Sequence, residues 1–223
     1  MAERSTGLFL TLEGIEGAGK STQAHRLAPA LEALGHRVVL TREPGGGRGR
    51  IGDLMRDLLK DPAVWSRLAL TEIFLYAAAR AHHLESLVQP ELDRGAIVLC
   101  DRFLDSTRAY QGFGRGRPIE LIEALHRLTP LDTRPDRTIL LDVDPEIGLS
   151  RARSRTIDEK SGYDDADLRF FTRVRDGYLT LARQEPERIR VVDAASGPDA
   201  VHHAIVELLV DLVPGLEPLT SRR

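Results

Sequence analysis

The feature that most narrows what this chain can fold into is residues 13–22, Glu-Gly-Ile-Glu-Gly-Ala-Gly-Lys-Ser-Thr, which come directly after the apolar run Leu8-Phe9-Leu10-Thr11-Leu12. From Gly14 to Ser21 the spacing is G-x-x-x-x-G-K-S. A strand that stops at a glycine loop and re-enters as a helix leaves backbone N–H groups converging on one point. Phosphate oxygens fill such a point, because the helix start offers unsatisfied donors and the positive end of its dipole. Gly14 and Gly19 let the backbone turn and approach closely, Lys20 reaches the β and γ phosphates, and Ser21 offers a hydroxyl to Mg2+. Gly14, Gly17, Ala18, Gly19, Lys20, Ser21 and Thr22 are therefore the expected contacts of a nucleoside triphosphate. The competing reading is a glycine turn beside an ordinary surface lysine, which needs neither the flanking strand nor the helix.

A length of 223 residues suits one domain, 1–223, with room for a small insertion and a buried core. The net charge of −3 and pI near 6.2 give no global attraction to nucleic acid or to anionic membranes, so anion binding has to be local. Only three lysines occur, Lys20, Lys60 and Lys160, and one of them sits in the glycine loop. The lone Cys100 closes an apolar run and reads as a small buried hydrophobe, a usage that fits a reducing, cytoplasmic setting. No stretch approaches the ~18 apolar residues of a membrane span. Neither His82-His83 nor His202-His203 has a cysteine or carboxylate at metal spacing, and these histidines read as surface or helix-face residues.

Leu27, Leu31 and Leu34 recur at helical spacing before Gly35, which predicts a helix from Lys20 to about Leu34 with Pro29 inside it. A short strand over Arg37 to Leu40 ends in Thr41-Arg42-Glu43-Pro44-Gly45-Gly46-Gly47. Helical patterns continue over Ile51 to Lys60 and Thr71 to Leu92, the second interrupted near Pro90. Ala96 to Cys100 is a continuous apolar run, as in a strand buried on both faces of a parallel sheet, and it ends in Asp101-Arg102. Then come a glycine- and arginine-rich stretch (Gln111 to Arg117), a helix from Pro118 to about Leu128, strands at Thr138 to Val143 and Ile189 to Val192, and a closing helix from Pro198 to about Val213. The tail from Pro214 to Arg223 reads as frayed. Strands alternating with helices argue for an α/β fold of three layers, a five-stranded parallel sheet flanked by helices. Ligands of such sheets sit beyond the strand carboxyl ends, where Glu13-Gly14, Arg42-Glu43 and Asp101-Arg102 all fall.

Asp101 stands where a carboxylate can hold Mg2+ directly or through water, and a helix N-cap is a compatible role. Arg102 beside it suits a phosphate, since a guanidinium fork matches phosphate oxygens bidentately. Arg151, Arg153 and Arg155 alternate after the fourth strand, within a polar segment of about 148–164. They form either a solvated face or a lid that closes charge over a transferring phosphoryl group. Tyr76 and Arg80 lie one helical turn apart, so a ring and a guanidinium could flank one planar ligand; a half-buried tyrosine beside a surface arginine is the plainer alternative.

These residues resemble the ordered motifs of the bacterial thymidylate kinase family. The likeness rests on residues 13–22, Thr41-Arg42-Glu43-Pro44-Gly45-Gly46, Tyr76-Ala77-Ala78-Ala79-Arg80, Asp101-Arg102-Phe103 and Ser106-Thr107-Arg108-Ala109-Tyr110-Gln111-Gly112. Leu141-Asp142-Val143 and Phe170-Phe171-Thr172-Arg173-Val174-Arg175 extend it over nearly the whole chain. The resemblance implies transfer of the γ-phosphoryl of ATP to dTMP with Mg2+, giving dTDP and ADP, by a homodimer. Carried over by motif, Tyr76 stacks on thymine, Arg80 and Gln111 read the base edge, and Ser106 and Thr107 assist there. Tyr110 crowds the sugar 2′ position, Glu16 lies near the acceptor sugar and metal, and Arg42 and Arg102 hold the acceptor phosphate.

The family divides by whether a catalytic arginine sits in the phosphate loop or in the lid. Gly17 occupies the loop position here, so the chain resembles the lid type, with Arg151, Arg153 and Arg155 all open as the γ-phosphate contact. One departure from the family pattern is the basic, glycine-rich stretch Gly45-Gly46-Gly47-Arg48-Gly49-Arg50. Without the base-facing residues the same loop and strand ends would fit another nucleoside monophosphate kinase, or a nucleotide-dependent switch.

Overall fold

The computed structural model describes residues 7–61, 69–128, 133–153 and 168–218. Five parallel strands, β1 (Leu8–Glu13), β2 (Val38–Arg42), β3 (Ile97–Asp101), β4 (Arg137–Asp142) and β5 (Ile189–Asp193), form one sheet in the order β2-β3-β1-β4-β5. Nine α-helices among the described residues cover it: α1 (Lys20–Ala33), α2 (Arg50–Lys60), α3 (Ala69–His83), α4 (Gln89–Leu92), α5 (Leu104–Thr107), α6 (Ile119–Arg127), α7 (Pro145–Arg153), α8 (Leu168–Gln184) and α9 (Pro198–Glu207).

Strand alternation sorts the core into two layers. Phe9, Val98 and Cys100 pack with Ile73, Leu84, Val88 and Ile122 from α3, the turn after it and α6. Leu10, Leu12, Ile97 and Leu99 belong with Leu27 and Leu31 of α1 and Ile205 of α9. Thr11 is the polar interruption of the central strand, and its Oγ1 lies 2.7 Å from Oγ1 of Thr138 on β4, so the buried hydroxyls satisfy each other.

The register brings the functional edge together. Asp101 is opposite Leu12 on one side and Arg42 on the other, while Glu13 is opposite Leu140. The carboxyl ends of neighbouring strands thus lie side by side, and the loops that leave them enter one cleft.

Three local features differ from the sequence expectation or sharpen it. The interruption expected near Pro90 comes earlier, as a wide π-type turn over Leu84–Val88, because Pro90 sits in the first turn of α4, where its missing N–H is not needed. The stretch from Gln111 is largely a second wide turn, Arg108–Gly114, continuing α5. Helix α7 contains Arg151 and Arg153, so the described part of the 148–164 segment is helix end; Arg155 and the rest of that segment lie outside the described residues. Pro29 is carried within an unbroken α1, and nothing in the structure explains its choice.

Candidate active site

The loop between β1 and α1 turns through positive φ at Gly14 (137°) and Gly17 (72°). Each glycine also makes a close approach: a Cβ would stand 2.5 Å from the Leu141 carbonyl oxygen at Gly14, and 1.9 Å from that of Gly148 at Gly17. Lys20 folds back over the loop, and its Nζ donates to the carbonyls of Gly14 at 3.1 Å and Ile15 at 2.9 Å. Burial, with Arg102 as the next cause, pushes the Lys20 ammonium down to about 8. Ser21 Oγ donates to Oδ2 of Asp101 at 2.7 Å, which sets a hydroxyl and a carboxylate together at the mouth of the loop. Hard oxygen donors of this kind suit Mg2+.

Arg102 carries the only positive φ of any described non-glycine residue, 71°, which turns its side chain back across the loop. Nη1 donates to the Gly14 carbonyl at 3.0 Å and to Ser106 Oγ at 3.1 Å. Nη2 donates to Glu16 Oε1 at 2.9 Å and to the Tyr110 hydroxyl at 3.1 Å, and the guanidinium lies over the Tyr110 ring at 4.9 Å. Tyr110 in turn donates to Glu16 Oε2. Burial works to raise the Glu16 carboxyl, but Arg102, Lys20 and the Tyr110 hydroxyl outweigh it and hold it below the ordinary glutamate range.

A second cluster lies between α3 and the turn that carries Gln111. Arg80 is buried at 2% exposure, not on the surface. Its Nη2 pairs with Glu43 Oε1 at 2.6 Å and donates to Thr107 Oγ1 at 2.6 Å, and its guanidinium lies over Phe103 at 5.3 Å. On the other side His83 Nδ1 lies 3.6 Å from Glu43 Oε2, and His83 Nε2 lies 2.9 Å from Thr41 Oγ1. Gln111 Nε2 donates to Glu72 Oε1 at 3.0 Å. Half-buried Tyr76 stands one turn from Arg80, and burial, then Glu72, drives its hydroxyl pKa up.

Lys20, Arg102, Glu16, Tyr110, Ser21 and Asp101 are thus brought into one connected cluster, and Arg80, Thr107, Gln111 and Tyr76 into an adjoining one. Ser106 belongs to the first, its hydroxyl turned to Glu13 at 2.6 Å. Exposed Arg42 sits at the end of β2 beside Asp101, and its side chain makes no hydrogen bond or ion pair among the described residues. Arg151 reaches across to β5's end, Nη1 to the Ala194 carbonyl at 2.9 Å and Nη2 to that of Ala195 at 3.3 Å, while Arg153 is exposed.

Two contributors escape a reading of the sequence. Arg56 of α2 donates Nη1 to the Pro44 carbonyl at 3.0 Å and feels Arg42, Asp101, Tyr76 and Arg102; burial and then Arg42 lower its pKa. Its signal would have been a lone cation between Met55 and Asp57 on an amphipathic helix, which does not stand out from a solvated face. Tyr178 of α8 is the other, and its spacing from Phe171 and Val174 reads as core. The path of residues 45–50 is also defined: the Arg48 amide donates to Ser86 Oγ at 3.1 Å and its Nη2 to buried Glu91 at 2.5 Å, so the loop folds back on the turn after α3.

The thymidylate kinase family model matches residues 12–205. The chain is 50% identical over 208 residues to the thymidylate kinase of Trichlorobacter lovleyi, covering 91% of this chain and 97% of that protein. It is 46% identical over 212 residues to that of Geobacter sulfurreducens, covering 93% and 99%. A solved structure of thymidylate kinase from Ehrlichia chaffeensis superposes with a TM-score of 0.73 at 36% identity, over 91% of this chain and 98% of that one. A sheet whose strand ends carry a phosphate loop and an aspartate-arginine pair, beside a helix with a buried arginine facing an aromatic ring, matched in sequence over almost its full length, establishes that the chain belongs to the thymidylate kinase family.

Proposed function

We propose that the protein transfers the γ-phosphoryl group of ATP to dTMP, giving dTDP and ADP. The observation that carries this reading is a shared oxygen: the Gly14 carbonyl accepts from both Lys20, at 3.1 Å, and Arg102, at 3.0 Å. A cation suited to the donor's phosphates and one suited to the acceptor's therefore touch the same atom. Phosphoryl transfer needs two phosphates held within reach, with charge supplied where it develops, more than it needs covalent chemistry.

In this reading the phosphate loop from Gly14 to Thr22 holds the ATP phosphates, and Lys20 exchanges its two carbonyls for them. Arg102, Arg42 and Arg56 hold the dTMP phosphate. Tyr76 stacks on thymine, Arg80 and Gln111 face its polar edge, and Thr107 steadies Arg80. Tyr110, fixed by Glu16, excludes a 2′-hydroxyl, and Glu16 orients the acceptor sugar. Ser21 and Asp101 would hold Mg2+, which when bound offsets phosphate charge. Gly148 leaves no room for a side chain at Gly17, so the lid charge falls to the arginines of the 148–164 segment, Arg151, Arg153 and Arg155.

We place the enzyme in the cytoplasm, as its single buried Cys100 suggests, and assemble it as a homodimer. Ile51, Leu54 and Leu58 of α2 line up at i, i+3 and i+7 and are 47–52% exposed, beside Leu70 and Phe74 of α3 at 52–55%. An apolar strip across two packed helices suits a second copy. The substrate assignment is tested by rates with ATP and Mg2+ on dTMP, dCMP, AMP and GMP. Turnover is expected to require the monophosphate and to be fastest with dTMP; equal rates on all four would overturn it.

A further inference from the structure

Buried Tyr178, 2% exposed, comes from α8, the helix after the lid segment. Its hydroxyl donates to Glu13 Oε2 at 2.8 Å, lies 2.7 Å from Ser106 Oγ and accepts from Arg102 Nη1 at 3.4 Å. Glu13 also accepts from the backbone N–H groups of Phe103 at 2.7 Å and Ser106 at 3.2 Å, and from Ser106 Oγ at 2.6 Å. One carboxylate at the end of the central strand thus anchors the residue after Arg102, the first turn of α5 and two hydroxyls that reach the Arg102 guanidinium.

The helix is fixed in the turn that leads into Tyr178. Arg175 makes a bidentate pair with Asp142 at 2.6 and 2.8 Å. A Cβ at Gly177 would stand 2.6 Å from Cβ of Phe113, so α8 packs directly on the turn that carries Tyr110 and Gln111. Hydroxyls whose positions are set from two elements can hold a guanidinium in one orientation, whereas a strained backbone alone cannot.

We propose that Tyr178 is a positioning residue for phosphoryl transfer: with Glu13 and Ser106, its hydroxyl fixes the Arg102 guanidinium, so that the helix after the lid forms part of the acceptor-phosphate site. This rests on the reading of Arg102 as a dTMP-phosphate contact. A tyrosine that only fills the core and satisfies Glu13 would leave substrate constants alone.

The test is Tyr178→Phe, which keeps the ring and removes the hydroxyl. The KM for dTMP is expected to rise at least about fivefold while that for ATP stays within about twofold of the parent. A folded variant with both KM values unchanged, even with lower kcat, would overturn the proposal. If that variant does not fold, Glu13→Gln is read by the same criterion: an amide NH2 in place of Oε2 no longer accepts from the Tyr178 and Ser106 hydroxyls, and the anchor that aims them at Arg102 is lost. Failure of the parent enzyme to turn over with dTMP would refute the functional reading, whereas an active parent with an indifferent variant refutes only the role of Tyr178.

Discussion

The carbonyl oxygen of Gly148 occupies the place where a side chain on Gly17 would begin, 1.9 Å from an added Cβ. Backbone meets backbone there, and Gly17 also has φ 72°, so neither atom can yield cheaply. Gly17→Ala is expected to destabilise the fold by about 2 kcal/mol or more. Gly35 is the control: φ is 87° and nothing lies within 4 Å. Gly35→Ala should cost only about 1 kcal/mol, read from denaturant midpoints.

ATP affinity is expected to depend on pH through Lys20. Burial and Arg102 push its ammonium down to about 8, and a triphosphate binds the charged form. Affinity for an ATP analogue should be level well below pH 8 and fall as pH rises through it, measurable by calorimetric titration. The effect on fold stability has the opposite sign: the buried ammonium is unfavourable below about 8, and that penalty is relieved between there and the ordinary lysine value. Lys20→Arg, which stays charged, should remove the decline in affinity near pH 8.

Burial, then Asp105, raises the Glu13 carboxyl to about 7. The folded state therefore binds a proton that the unfolded chain has released, and stability is lost as pH rises from about 4.5 to 7. Glu13→Gln should show a smaller loss of unfolding midpoint between pH 5 and 8 than the parent; parallel curves would contradict the shift.

Phe74 is 52% exposed beside Leu54 and Leu58 on the proposed dimer face, and a two-fold interface counts each change twice. Phe74→Asp is expected to convert the dimer to monomer in sedimentation. A parent that is already monomeric would refute the interface.

How far the sequence discloses this site depends on whether a role is set locally or by packing. The phosphate loop is legible because strand, glycines and lysine are contiguous, and Asp101-Arg102 because they end an apolar run. Arg80 is not: one turn from Tyr76 it reads equally as a surface arginine, and only Glu43, 37 positions away, makes its burial tolerable. Gln111 to Gly114 read as loop composition, yet they continue a helix with a wide turn, since Gly114 and Gly177 admit α8 closely and that packing overrides propensity. Arg56 and Tyr178 obey ordinary helical periodicity, and their polar ends find partners only in three dimensions.

The strand order β2-β3-β1-β4-β5 puts the phosphate loop at the centre of the edge, with Arg42, Asp101 and Arg102 on one flank and Arg151 and Ala194 on the other. With the substrate sites proposed above, acceptor and donor nucleosides approach from opposite sides, and neither blocks the other's path. Such traffic predicts random-order binding: an inert dTMP analogue should be competitive with dTMP and noncompetitive with ATP, and an inert ATP analogue the reverse, with neither uncompetitive. A compulsory order would mean that one substrate builds the other's site, which this division of the sheet edge does not require.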